Sequence, residues 1–214
     1  LDRYTHIVLP DGRYSWLADG DALGERLARW TDGGGVLIAV RGATSWVDRR
    51  VLAPRGGESA KGDRGSATAA DDPAPARQPY GDYRALRDAR VLGGAILDAD
   101  VDLTHPLAYG VRDTPLPVFR RGAEPLPPHP DPFGVVAAYA AEPVRSGYAH
   151  PEVAARLAGT PSMTAQRSGG GLVVRLADAP AFRGFFRGAE RLLVNAVYFS
   201  AAVQPTRALD GAAQ

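Results

Sequence analysis

Residues 35–40 read GVLIAV, an apolar run with no polar alternation, which is the pattern of a strand covered on both faces in a parallel sheet. Ahead of it, YTHIVLP at 4–10 is a short run with β-branched residues, closed by Pro10, Asp11 and Gly12, as a strand is when it enters a tight loop. Between the two runs Leu23, Leu27 and Trp30 recur at helical spacing, with Asp19 or Asp21 placed to cap the helix and Gly33, Gly34 and Gly35 to end it. Strand, helix, buried strand is a βαβ unit, and a sheet begun this way predicts a layered α/β architecture.

The remainder divides at ordinary spacing. YRALRDAR (83–90) fits a short helix, and GAILDADVDL (94–103) fits a strand with Asp98, Asp100 and Asp102 on one face. THPLAYG (104–110) reads as a capped helical turn, with Thr104 as the cap and Pro106 early in the turn, and the Pro-rich stretch 115–132 reads as a loop. GVVAAYA (134–140), PSMTAQR (161–167) and GLVVRLA (171–177) are expected strands, the last two joined through Gly169 and Gly170 as a hairpin. A closing helix is expected over about 186–201, burying Leu192, Leu193, Ala196, Val197 and Phe199. Residues 53–82 are rich in Gly, Pro, Ala and charge with almost no aliphatic side chains, so a mobile insertion is expected there. One α/β domain over 1–201 and a flexible tail over 202–214 follow.

Composition removes several classes of function. The 214 residues suit one domain, and 25 Lys+Arg against 24 Asp+Glu with no basic cluster leaves no phosphate-binding footprint for nucleic acid. The chain has no Cys, which removes disulfides, thiolate zinc sites and a cysteine nucleophile together. No apolar run is long enough to span a bilayer, and LDRYTHIVLP lacks a signal's basic and apolar regions, so the chain reads as a piece of something longer.

The motif most suggestive of chemistry is His150-Pro151-Glu152, the triplet that supplies two members of the Cys-His-Glu triad in class I glutamine amidotransferases. It follows a polar segment rather than a strand, and Pro151 and Glu152 stand where a helix would begin before VAARLAG, which makes it a helix start. GGGLVVRLADAPAFRGFFRGAERLLVNAVYF (169–199) resembles the end of those enzymes more closely in its order of strand, Pro-containing loop and final helix. Aligning the prolines puts Ala179 at the histidine position and Ala181 at the glutamate position, while GVLIAVRGATSW (35–46) puts Arg41 at the cysteine position with Gly42 after it. Methyl groups cannot relay protons and Arg is no nucleophile, so glutaminase chemistry is excluded.

The ordered set YTHIVLPDG, WTDGGGVLIAVRGATSWV, LDADVDLTHPLAYGV with PVFRRG, VVAAYA with SGY, and the 169–199 segment resembles the amidotransferase-like domain C-terminal to the catalytic domain of bacterial zinc carboxypeptidases of the carboxypeptidase A type. That domain usually opens with an earlier strand-helix-strand, absent here, and often has a Phe-Arg-Pro-like segment where this chain has ADAPAFRG. The resemblance implies a three-layer, flavodoxin-like, mostly parallel sheet lacking its first strand-helix-strand. It also implies a non-catalytic accessory domain, a pseudoenzyme whose partner is the peptidase domain of the same protein, in a secreted or periplasmic setting, with zinc held by that catalytic domain and no cofactor in this chain. No His-x-x-Glu follows His6, His105, His129 or His150, and all four read as solvent-exposed structural residues. Trp46 and Phe185 read as core or domain-interface residues. The alternative function is a module binding a small anion or carboxylate at the carboxyl edge of the sheet, through Arg13, Tyr14, Arg41, Gly42 and Thr44, with pairing of Arg41 and Arg13 to Asp residues as the plainer reading. The surface left by the missing strands and peptidase domain is expected to show apolar side chains and to promote self-association.

Overall fold

The computed structural model describes residues 1–14, 20–53, 77–89 and 91–206, and most of the expected insertion at 53–82 and tail at 202–214 lies outside them. Among the described residues, strands β1 (His6–Leu9), β2 (Val36–Val40), β3 (Ala95–Val101), β4 (Leu116–Arg120), β5 (Val135–Gly147), β6 (Pro161–Ser168) and β7 (Gly171–Leu176) form one sheet. Helices α1 (Gly20–Asp32), α2 (Gly42–Arg50), α3 (Tyr83–Asp88), α4 (Pro151–Leu157) and α5 (Arg187–Tyr198) punctuate them. The strand order is β1-β2-β7-β6-β5-β3-β4.

Only β1–β2 and β2–β7 are parallel pairings, and every pairing from β7 across to β4 is antiparallel. This topology overturns the expected three-layer, flavodoxin-like, class I amidotransferase-like fold with a mostly parallel sheet and a missing first strand-helix-strand. The physical reason is connection length. A parallel step needs a crossover of a dozen or more residues, usually a helix, as α1 provides between β1 and β2, whereas Gly169 and Gly170 alone separate β6 from β7 and permit only a hairpin.

Three local expectations also change. The stretch 115–132, expected to be a loop, begins with β4, whose Pro117 lies opposite Asp98; β4 is the edge of the sheet, where a residue without an N–H is tolerated. β5 runs on to Gly147 through the polar segment after Ala140, paired with β3 across register shifts. Finally, His105 caps the turn at Pro106–Ala108 by accepting the Leu107 N–H at 3.1 Å, while Thr104 turns back to Asp102.

β2 is buried along its whole length and serves two cores. Leu37 and Ala39, with Val173 of β7, face Leu27 of α1 and Trp46 and Val47 of α2. Ile38, Leu172 and Val174 face the other way, into a larger cluster with Leu97, Tyr139, Met163 and Leu192 of α5. Each buried Val, Leu or Ile among them stabilises the fold by roughly 1.5–3 kcal/mol, so this two-sided strand anchors the carboxyl edge.

Candidate functional site

β1, β2 and β7 run parallel, so their carboxyl ends open on one edge, the usual location of ligands in α/β sheets. Arg41 leaves β2 with φ 49° and ψ −114°, left-handed backbone for a non-glycine residue, and leads straight into α2. The turn is held by the Arg41 N–H donating to Leu176 O of β7 at 2.7 Å, and by Thr44 donating through its N–H and its hydroxyl to Arg41 O at 2.9 and 2.7 Å. A sharp strand-to-helix elbow of this kind can present a nucleophile, but here it presents a guanidinium.

That guanidinium is committed to the first loop. Arg41 Nη1 pairs with Asp11 Oδ2, and the other oxygen of the same carboxylate accepts the Gly42 N–H at 3.1 Å, so Asp11 sits on the open N-terminus of α2. The approach is tight enough that a Cβ at Gly42 would stand 2.7 Å from Gly12 O. Tyr14 closes the same loop by donating its hydroxyl to Pro10 O at 2.8 Å, with its ring 5.8 Å from the ring of Trp46. Burial, and then the charge of Asp11, push the Tyr14 hydroxyl above its ordinary pKa. The structure therefore brings Tyr14, Arg41, Gly42 and Thr44 together around Asp11, and leaves Arg13 exposed outside that cluster.

At the end of β7, Asp178 is buried, and sequence reasoning missed it. Tyr139 donates its hydroxyl to Asp178 Oδ1 at 2.6 Å and Ser162 donates to Oδ2 at 2.5 Å. Burial raises the Asp178 carboxyl pKa, opposed by Arg120, Ser162, Tyr139 and Arg41. Burial, followed by the Asp178 charge, raises the Tyr139 hydroxyl well above its ordinary value. Arg120 does not pair with the carboxylate; it donates to the carbonyls of Gly122, Ala177 and Glu124 and stacks 5.8 Å from the Tyr139 ring centroid. The available signal was an aspartate directly after an apolar strand. Beside it, Ala179 donates its N–H to Phe119 O at 3.0 Å and Ala181 is exposed, so neither offers a proton-transferring group.

The histidines stand apart. His6 contacts the Ser200 hydroxyl at 3.0 Å; His105 and His150 accept the N–H groups of Leu107 and Glu152; His129 donates its Nδ1–H to Asp131 O at 2.5 Å. His105 is buried rather than solvent-exposed, because its ring is needed inside the turn it caps. Among the described residues there is no group of three or more His, Asp or Glu placed to hold a metal ion. Trp46 is a core residue and Phe185 is 78 % exposed.

No family model matches the chain, and no curated protein does. Among solved structures it is similar to the β-galactosidase from Bacillus circulans sp. alkalophilus, with 15 % identity and TM-score 0.40 over 95 % of this chain and 24 % of that one. It is similar to the β-galactosidase from Rahnella sp. R3, with 12 % identity and TM-score 0.40 over 94 % and 23 %. It is also similar to the cytoplasmic protein STM3548 from Salmonella typhimurium, with 13 % identity and TM-score 0.45 over 93 % and 72 %. The chain thus spans about a quarter of the length of the two β-galactosidases. At these identities and scores the likeness assigns neither an activity nor a ligand to this chain.

Proposed function

We propose that this chain is a non-catalytic accessory domain of a larger exported enzyme, and that the parent is a zinc carboxypeptidase whose metal and chemistry lie in another domain. The observation that carries the reading is the occupant of the β2 elbow. Where the edge could present a nucleophile it presents Arg41, neutralised by Asp11, and the one buried carboxyl nearby has both oxygens engaged by Tyr139 and Ser162. The choice of parent rests on the ordered sequence segments from YTHIVLPDG to LLVNAVYF.

The test is the reading frame upstream of Leu1 together with assays of the purified chain. A zinc carboxypeptidase domain encoded in frame, no glutamine hydrolysis and no stoichiometric zinc are expected. Glutaminase turnover or tightly bound zinc would overturn the non-catalytic reading, and a different upstream domain would overturn the parent. The rival reading, a small-carboxylate module at the same edge, meets an occupant already in place: Asp11 takes both the guanidinium and the helix N-terminus that such a ligand would need.

A further inference from the structure

α5 buries one side against the sheet and leaves a stripe in water. Ala189, Leu192, Asn195 and Ala196 are buried, while Arg187, Arg191, Val194 and Tyr198, at steps of four, three and four residues, are exposed along the opposite side. The turn that bears Tyr109 is fixed beside this stripe, because Asn195 Nδ2 donates to Leu107 O at 2.9 Å and to Tyr109 O at 2.8 Å. Tyr109 in turn packs against Phe199, with ring centroids 5.1 Å apart, so the C-terminal half of the face is aromatic.

The charges sit in the other half. Arg187 is neutralised by Glu190 at 3.0 Å. Arg191 lies over Gly110, where a Cβ would stand 3.0 Å from its Nη1, and among the described residues it meets no carboxylate. The stripe therefore presents one unpaired cation, Arg191, and one exposed ring, Tyr198, about 10 Å apart along the helix with the apolar Val194 midway between them.

A two-fold contact requires that whenever one residue meets a second across the interface, the second also meets the first. The stripe satisfies that condition about Val194. Laid antiparallel on a second α5 with Val194 at the axis, Arg191 of each copy comes over the Tyr198 ring of the other, a cation–π pair made twice with no like charges opposed. A foreign partner has to supply a ring and a cation at this same spacing, whereas a second copy brings both.

We propose that this face is a self-docking surface, and that two copies of the chain pair through antiparallel α5 helices centred on Val194. One helix pair with its flanking aromatics is a small interface, so the dimer is a weak one. The pairing does not depend on which enzyme the chain belongs to.

Sedimentation velocity up to about 100 μM, with cysteine cross-linking, tests the surface. Because the chain has no Cys, Val194→Cys supplies a single thiol at the axis, and Ser45→Cys supplies an exposed control on α2, across the sheet. Monomer passing to dimer with concentration is expected, as is a disulfide-linked dimer for Val194→Cys under mild oxidation but not for Ser45→Cys. Tyr198→Arg, which sets cation against cation, should weaken the dimer at least about tenfold, and adding Arg191→Tyr, which restores the pair in reverse, should recover most of that loss. A chain that stays monomeric throughout overturns the proposal. So does a dimer in which both cysteines link equally, and so does a double variant as weak as Tyr198→Arg alone.

Discussion

Arg41 holds a backbone conformation that costs any residue with a Cβ about 1–3 kcal/mol, and its contacts to Asp11 and Leu176 keep it there. Arg41→Gly relieves that strain while Arg41→Ala keeps it, and both lose the ion pair. The glycine variant should therefore be the more stable by about 1 kcal/mol in urea unfolding, and equal midpoints would show that the elbow is not strained. Asp11→Asn keeps the shape but withdraws the charge from both the guanidinium and the helix N-terminus. Because the carboxylate is partly solvent-exposed, a loss of only about 1 kcal/mol is expected. Asp178 makes stability depend on pH. Its raised carboxyl pKa means that the folded chain holds the proton more tightly than the unfolded one, so the stability it contributes is full below the unfolded carboxyl value and is lost as pH rises through the folded value. Asp178→Asn removes that slope, and should gain stability relative to the parent chain as pH rises above the unfolded carboxyl value. Parallel pH profiles for the two would contradict the assignment.

At the level of elements, the start of β7 is wedged against the end of α1. A Cβ at Gly171 would lie 2.1 Å from Thr31 O and 2.2 Å from Gly35 O, both backbone atoms that cannot swing away. Gly171→Ala should therefore destabilise by at least about 2 kcal/mol in chemical denaturation, and a near-neutral result would mean that the α1–β7 contact is looser than drawn. The first βαβ unit was legible because its signals are local: the periodicity of Leu23, Leu27 and Trp30, the glycines behind it, and the unbroken apolar run of β2. Beyond β2 the β6–β7 hairpin was legible from Gly169 and Gly170, but the direction of the other strands was not, because which strands pair is decided by residues far apart, as when Ala99 of β3 meets Tyr139 of β5. β4 was hidden by Pro117 and Arg120, which an edge strand accepts and an apolar pattern does not reveal. The site divides the same way. Arg41 could be found from a strand followed by a helix, while Asp178 acquires its meaning from Tyr139 and Ser162, 39 and 16 residues away.

The whole molecule keeps apolar side chains on its outside. Tyr109 is 67 % exposed and packs 5.1 Å from the ring of Phe199, next to Tyr198 at 76 % and Val194 at 44 % on the outer side of α5. Phe199, expected inside, belongs to this face because it lies just beyond the last turn of α5. In an accessory domain such a face is where a neighbouring domain would rest, so the isolated chain should self-associate with rising concentration in sedimentation velocity, and Tyr198→Glu should shift it toward monomer. A monomer at about 100 μM for both would count against that use of the face.

The order of the strands also bears on how the chain is made. Among the described residues β7 is the last strand in chain order, yet it joins the parallel pair to the antiparallel remainder, pairing Val36 with Leu172 on one side and Met163 with Leu176 on the other. Without Gly171–Leu176 the remaining strands could pair only as two separate groups, β1-β2 and β6-β5-β3-β4, each with an open edge. A chain truncated before Gly171 is therefore expected to aggregate rather than form a smaller working domain, because the strand that closes both open edges is missing.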